Sequence, residues 1–135
     1  MITSVHFGRG PSSNFIFSSS WDSAIKVWQT ERLQNEPVAV LNGHRSRVTD
    51  IDVTQDGQHF VSSSTDTTLL MWEATKPFNC IAVYRAPPTE RGFNCVAAYK
   101  DLFITGSENG VVRVWPIATS SNYKSHFHKI EDHNK

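Results

Sequence analysis

The stretch that decides the fold is SSSTDTTLLMW, residues 62–72. Small hydroxyl residues come first, Asp66 follows six positions before the tryptophan, and an alternating run closes on Trp72. The run is too short for a helix, and its β-branched and aromatic content favours a β-strand. With His44 upstream of it, the stretch also contains the residue types of a Ser-His-Asp catalytic site. These residues could therefore belong either to the catalytic site of a hydrolase or to a structural hydrogen-bond network, and the rest of the sequence must decide between the two.

The stretch occurs three times in the chain. It aligns without gaps with SSSWDSAIKVW, which ends at Trp28, and with TGSENGVVRVW, which ends at Trp115, so the three tryptophans are 44 and 43 residues apart. The position six residues before the tryptophan is Asp22 in the first copy and Asn109 in the third. A repeat of this length, with several alternating runs in each copy, predicts antiparallel four-stranded units and an all-β fold.

Short runs with strand-like alternation, separated by turn signals such as QDGQ, account for four strands in each repeat. The tail SHFHKI supplies the fourth strand of the last repeat, and no helical pattern precedes it. The predicted strands span 2–7, 15–20, 24–28, 37–43, 47–53, 59–64, 68–72, 80–86, 93–99, 102–107, 111–115 and 125–130.

Composition excludes several classes of protein. Lys plus Arg equals Asp plus Glu, 13 against 13, so the chain lacks the positive charge of a dedicated nucleic-acid or membrane-surface protein. No apolar run is long enough to cross a membrane, and no secretory signal is visible. Cys80 and Cys95 alone form neither a disulfide scaffold nor a zinc site, and we expect both to be small buried residues in an intracellular protein, cytoplasmic or nuclear. His126, His128 and His133 lack a firm coordination spacing, so we expect no metal site and no cofactor.

The repeat length, the Gly43-His44 pair and the tryptophan-closed strand resemble the WD-repeat family of β-propellers. The resemblance covers roughly residues 1–118. It implies a single partial propeller with blades at 1–41, 42–85 and 86–130, followed by a frayed tail at 131–135.

The resemblance also implies a role for the second repeat's polar residues. In the family, equivalent side chains form a hydrogen-bonded structural network, here His44, Asp66, a hydroxyl from Ser62 or Ser64, and Trp72. Catalysis would instead need an exposed serine beside an oxyanion hole, and the sequence has no GxSxG elbow. Trp28 with Asp22 and Trp115 with Asn109 close the other two blades. Because residues 84–93 replace the Gly-His loop in the third repeat, we expect its network to be absent or weaker. That segment is either a distinctive surface loop or an ordinary connection.

The family resemblance implies a non-catalytic scaffold or adaptor that binds a protein or peptide through loops on one face of the blades. An exposed Trp21 suits an interface anchor, or else it packs on the neighbouring loop. Exposed arginines suit acidic or phosphorylated peptide, or else they are solvated surface. The candidate partner-binding residues are Trp21, Arg45, Arg47, Thr65, Arg91 and Glu108.

Three blades do not close a ring, because propellers need at least four. We expect the chain to be a fragment or short isoform of a larger WD-repeat protein. Two alternatives remain open, namely a ring closed with a second chain and a partner that covers the open blade faces. In either alternative, the chain would be a structural subunit of an assembly with its blade edges as the interface.

Overall fold

The computed structural model describes residues 1–32, 36–87 and 89–117, together with the backbone of residues 128–132. Within these ranges the chain forms three antiparallel sheets of four strands, and in every sheet the strands follow their order in the sequence. We call the sheets blades 1, 2 and 3. The prediction of an all-β fold made of four-stranded units is confirmed.

The strands of blade 1 are β1 (Ile2–Phe7), β2 (Phe15–Ser20), β3 (Ala24–Gln29) and β4 (Ala39–Asn42), with a short 3-10 turn at Gly10–Ser12 between the first two. Blade 2 contains β5 (Val48–Val53), β6 (His59–Ser64), β7 (Thr68–Glu73) and β8 (Cys80–Arg85). Blade 3 contains β9 (Phe93–Tyr99), β10 (Leu102–Ser107), β11 (Val111–Pro116) and β12 (His128–Asp132). Strand β12 begins three residues later and ends two residues later than the sequence pattern predicted.

The hydrophobic core lies between the blades, because each sheet is too thin to bury its own side chains. The ring of Phe17 on blade 1 packs on Phe60 of blade 2, with centroids 4.4 Å apart. The ring of Tyr84 on blade 2 contacts Trp115 of blade 3 edge to face. Blade 2 is therefore covered on both sides, and its middle strand β7 is buried almost throughout.

The first strands of the blades lie next to one another, and each has a β-bulge at the same place. The bulged residues are Thr3 in blade 1, Thr49 in blade 2 and Asn94 in blade 3. A bulge redirects its side chain, and two of these residues reach the next blade. The hydroxyl of Thr3 donates to the carbonyl of Val48, and that of Thr49 donates to the carbonyl of Phe93, both at 2.8 Å. The same bond thus joins blade 1 to blade 2 and blade 2 to blade 3.

Two aspartates add further bonds between blades 2 and 3. Asp50 accepts from the N–H of Val96 at 3.1 Å, and Asp52 accepts from the N–H of Ala98 at 2.7 Å. These N–H groups belong to β9, whose free edge would otherwise lack partners for them.

One side of blade 1 carries exposed apolar residues. Ile2, Val5 and Phe7 are 58%, 56% and 67% exposed. The residues at the corresponding positions of blade 2 are at most 1% exposed, because blade 1 covers them: Val48, Ile51 and Val53. The strands themselves are alike, and the difference is that no sheet formed by the described residues covers this side of blade 1.

The structure corrects the prediction that the two cysteines are buried. Both were expected to be buried, yet Cys80 and Cys95 are exposed and not bonded to each other. Cys80 begins the outer strand β8, and Cys95 lies on β9, where its position corresponds to Asp50.

Candidate functional site

The candidate site is the loop face, which we define as the turns 21–23, 65–67 and 108–110 together with the connecting residues 43–47, 86–87 and 89–92. Each turn joins the second strand of a blade to the third and closes with an N–H to carbonyl bond across four residues. The last residue of each turn is left-handed, with φ of 72° at Ser23, 74° at Thr67 and 81° at Gly110. Only the third blade has glycine, the residue that adopts this φ without strain.

Each turn is also bonded to the segment just before the first strand of a blade. The residue that opens the turn donates its N–H to the carbonyl of that segment, at 3.0–3.1 Å, in the pairs Trp21–Met1, Thr65–Arg47 and Glu108–Gly92. Each turn is therefore held by a main-chain bond against the segment that leads into the first strand of its own blade.

In blade 2, a buried polar network fastens the loop face to the sheet. Nδ1 of His44 lies 3.1 Å from Asp66 Oδ2, and its Nε2 lies 2.7 Å from Ser62 Oγ. Ser62 Oγ in turn accepts from the indole N–H of Trp72 at 3.0 Å. Since the indole already donates to Ser62, we assign the hydroxyl proton of Ser62 to His44 Nε2 and the ring proton of His44 to Nδ1. The chain of donors then runs from Trp72 through Ser62 and His44 to the carboxylate of Asp66.

Asp66 is the end of this chain, and its carboxylate accepts more bonds than the sequence indicated. The N–H and the hydroxyl of Thr68 bond one oxygen, and the N–H of Arg45 bonds the other at 2.8 Å. Burial raises the pKa of Asp66, but hydrogen bonds from His44, Thr68 and Arg45 outweigh burial and hold the pKa well below its usual range. The threonine two residues after the aspartate was the overlooked signal, because such residues commonly cap an Asx-type turn.

Of the two candidate hydroxyls, the structure places Ser62 in the network. Ser64 instead accepts the N–H of Asp66 at 3.1 Å and supports the turn. Ser62 is fully buried between the imidazole and the indole. A serine in that position does not meet a substrate, so the geometry favours the structural interpretation of the Ser-His-Asp set.

The third blade corrects one expectation. Its fastening network was expected to be absent or weaker, because the Gly-His loop is missing. Instead, the carboxylate of Glu90 pairs with Arg113 and also accepts from the side-chain amide of Asn109 at 2.8 Å. Arg113 is buried on β11, at the position that corresponds to Leu70 of blade 2. The segment at 89–92 is therefore not merely a surface loop, because Glu90 bonds to side chains of blade 3.

All three closing tryptophans use the same type of partner. Each indole N–H donates to a hydroxyl on the second strand of its own blade, and the outer two pairs are Trp28–Ser18 at 3.0 Å and Trp115–Thr105 at 2.9 Å. In blade 1 the turn residue Asp22 accepts from the N–H of Ala24, and this bond holds its pKa below the usual range.

Trp21 and Arg47 form the most prominent contact of the loop face. The guanidinium of Arg47 lies 4.0 Å from the centroid of the Trp21 ring, so a side chain of blade 2 stacks on a turn of blade 1. Trp21 still leaves 45% of its surface exposed. Both interpretations of Trp21 thus hold in part, because it packs on the neighbouring loop and remains accessible.

The other candidate residues lie on the turns and connections of blades 2 and 3. Arg45, Arg91 and Glu108 are exposed, while Thr65 is half-buried and its hydroxyl lies 2.7 Å from that of Ser46. Within the parts of the chain that the structure describes, no exposed arginine forms a salt bridge.

Neither a metal site nor a membrane span is found in the described ranges. No group of three potential ligand residues comes together there, and no helix is long and apolar enough to cross a bilayer. The side chains of His126, His128 and His133 lie outside the described residues.

Comparison with known proteins agrees with the fold. Residues 2–29, 35–73 and 78–116 match the family described as WD domain, G-beta repeat. The chain is 38% identical over 74 residues to the DDB1- and CUL4-associated factor 11 homolog of Caenorhabditis elegans, which covers 53% of this chain and 13% of that protein. It is 29% identical over 124 residues to Transducin beta-like protein 3 of Rattus norvegicus, which covers 85% of this chain and 15% of that protein. The chain therefore spans a small part of the length of these curated relatives. Because the family matches extend over most of its residues, the chain belongs to the WD-repeat family of β-propeller proteins.

Proposed function

We propose that the chain is a non-catalytic, intracellular interaction module that binds a protein or peptide on its loop face. The observation that carries the proposal is the Trp21–Arg47 pair, an exposed aromatic ring held in place by a stacked guanidinium. Tryptophan and arginine are the residue types that contribute most to protein interfaces. Arg47 fixes the ring before binding, so little conformational freedom is lost when a partner covers it.

The rigidity of the platform supports the same proposal. The His44 network in blade 2 and the Glu90–Arg113 pair in blade 3 tie the connections to buried strands. Binding residues on loops are most effective when a rigid scaffold positions them. One similar protein is named for its association with DDB1 and CUL4, which supports a role in protein assembly for this chain as well.

Affinity capture with three variants of the chain tests the proposal. Trp21→Ala and Arg47→Ala should release the same partners, and loss of the tryptophan should weaken binding by about 2 kcal/mol or more. Tyr99→Ala is the matched control, because Tyr99 is 52% exposed, contacts Lys100, and ends β9 on the side away from the connection that precedes Phe93. If all three variants retained the same partners, the loop-face proposal would be wrong.

A second proposal concerns the side of blade 1. We propose that the chain is part of a longer arc, and that another antiparallel blade covers Ile2, Val5 and Phe7. The interfaces between blades 1 and 2 and between blades 2 and 3 bury the same strand positions, so the exposed side continues an existing type of interface. A contiguous apolar surface of this kind is rarely left in water.

Light scattering after size exclusion tests this second proposal. The wild-type chain alone should self-associate, and Val5→Lys with Phe7→Lys should reduce the mass to that of a monomer. Val40→Lys is the control, because it places a charge at a 49% exposed valine on the outer strand β4. A wild-type chain that stays monomeric at about 100 μM, a concentration at which weak interfaces associate, would contradict the proposal.

A further inference from the structure

The loop face adjoins a pocket next to the fastening network of blade 2. The pocket has a volume of about 170 Å³ and lies beside strands β7 and β8. Its lining is Gly43, Arg45, Asp66, Thr68, Leu70, Val83 and Arg85. Two cross-strand pairs of β7 and β8 form one wall, Thr68 with Arg85 and Leu70 with Val83.

The charges of the pocket favour an anion. Arg45 and Arg85 are exposed, and neither guanidinium has a carboxylate partner within salt-bridge distance in the described part of the chain. The only acidic side chain in the lining is Asp66, and the donors of the fastening network already occupy both of its oxygens. Asp66 therefore has no capacity left for a cation. Two arginines with free fork-shaped donors are well suited to a carboxylate or a phosphoryl group.

The apolar part of the lining restricts the ligand further. Leu70 and Val83 supply hydrocarbon surface beside the two guanidinium groups. Gly43 leaves space at the base of the pocket that a side chain would fill. A Cβ at this position would lie only 3.0 Å from both the Leu70 and the Trp72 side chains. A bare inorganic anion would leave this surface uncovered, whereas an anionic group on a short hydrocarbon stem would contact both parts.

We propose that this pocket binds an oxyanion at the end of a short apolar stem, such as an acidic or phosphorylated side chain of the partner. The inference rests on the proposed function and specifies the chemistry of its ligand. Arg45 and Arg85 bind the anion, while Leu70 and Val83 contact the stem. Trp21 and Arg47 lie outside the pocket lining and hold a different part of the partner.

Titration of the ¹⁵N-labelled chain with three small probes tests the pocket directly. Phenyl phosphate and benzoate present the two anionic groups, and benzyl alcohol is the neutral counterpart. We expect saturable shifts of the Gly43, Arg45, Thr68 and Arg85 amides, with dissociation constants on the order of millimolar for ligands of this size. A response to phenyl phosphate alone indicates a phosphorylated side chain, and a response to benzoate indicates a carboxylate. Equal shifts with benzyl alcohol, or anion shifts located elsewhere, would overturn the proposal.

Charge removal supplies the matched variants. Arg45→Gln and Arg85→Gln should each weaken anion binding about tenfold, while Arg9→Gln, at an exposed arginine between β1 and β2 and outside the pocket, should leave it unchanged. Arg45→Gln retains the main-chain N–H that bonds Asp66, so the fold should survive, and Arg85→Gln provides an independent test if it does not. Unchanged binding in both variants refutes the assignment.

The two proposals fail separately. If Trp21→Ala releases partners but the pocket binds no anion, the loop-face function stands and this inference falls. If the pocket binds anions but Trp21→Ala and Arg47→Ala release no partner, the loop-face function falls instead.

Discussion

Replacement of His44 by alanine is the sharpest test of the network in blade 2. The side chain of His44 is completely buried. Its removal deprives the Ser62 hydroxyl of an acceptor at 2.7 Å and leaves it only the Leu70 carbonyl at 3.5 Å. It also removes one of the donors of Asp66, although the main-chain N–H of Arg45 still bonds the same oxygen.

These losses allow an estimate of the effect. A buried hydroxyl left without its acceptor costs about 1–3 kcal/mol, and a lost bond to a carboxylate adds about 1–2 kcal/mol. Water from the adjacent pocket can replace part of the missing ring, so we expect a total of about 2–3 kcal/mol rather than the full sum. For a chain of this length, the melting temperature should fall by roughly 8–12 °C.

Urea unfolding followed by tryptophan fluorescence and circular dichroism measures the change. His59→Ala is the control, because His59 is only half-buried and bonds through its main chain, so it should cost less than about 0.5 kcal/mol. His44→Asn keeps a donor for Asp66 but cannot reach Ser62, so its cost should be intermediate. A double-mutant cycle of His44→Ala with Ser62→Ala should give a coupling energy of about 1 kcal/mol. Equal stability of His44→Ala and His59→Ala would refute the reasoning.

Three further predictions follow from the loop face and its supports. The folded pKa of Asp66 lies below the unfolded one, so its contribution is full above about pH 4 and is lost as pH falls further. The stability gap between wild type and Asp66→Asn should therefore narrow below about pH 4 in acid-dependent unfolding, and a gap that does not change with pH would contradict this. Glu90→Ala should cost about 3 kcal/mol, because Arg113 is buried, whereas the double variant with Arg113→Leu should recover most of the loss. A double variant as unstable as Glu90→Ala in urea would show that the ion pair is not the cause. Thr67→Gly should raise the free energy of unfolding by about 1 kcal/mol, because it removes the backbone strain of a β-branched residue at positive φ. Gly110→Ala should lower the free energy of unfolding by a similar amount, because alanine would introduce that strain. Calorimetry showing a change of the same sign in both variants would refute the strain argument.

The strands were predictable because their signals are local. Alternation and turn residues placed β1, β2, β6, β9 and β10 at the residues the structure gives them. The outer strand β4 was predicted too long, because the apolar pattern begins at Pro37 whereas the paired register begins at Ala39, and Val38 makes only a single main-chain bond to Val27 of β3. Alternation of apolar and polar residues arises when one face of a strand is buried. An outer strand buries little of either face, so alternation defines its ends poorly.

The site was only partly predictable. His44, Asp66 and Trp72 were indicated by their spacing relative to a known pattern. Ser62 and Ser64 share one face of β6, so the choice between them depends on position along the strand, because Ser64 at its end accepts from the turn N–H of Asp66 while Ser62 lies beside His44. The Glu90–Arg113 pair was missed, because an arginine in an alternating run looks like solvated surface until a distant carboxylate is placed beside it. Long-range pairs of this kind leave no periodic trace in a single sequence.

The bond that Thr3 and Thr49 make across the blades has a consequence for assembly. The threonine hydroxyl donates and the carbonyl of the next blade accepts, so each blade donates this hydrogen bond on one side and accepts it on the other. A row of blades joined by this bond therefore has a direction, like monomers that add only head to tail. Asn94 stands at the same bulge on blade 3 and is the donor available to a following blade, while the Ile2 carbonyl is the acceptor available to a preceding one. Any blade that adds to this chain should thus do so in one orientation, and a face-to-face pairing of two blade-1 sides would leave this bond unmade.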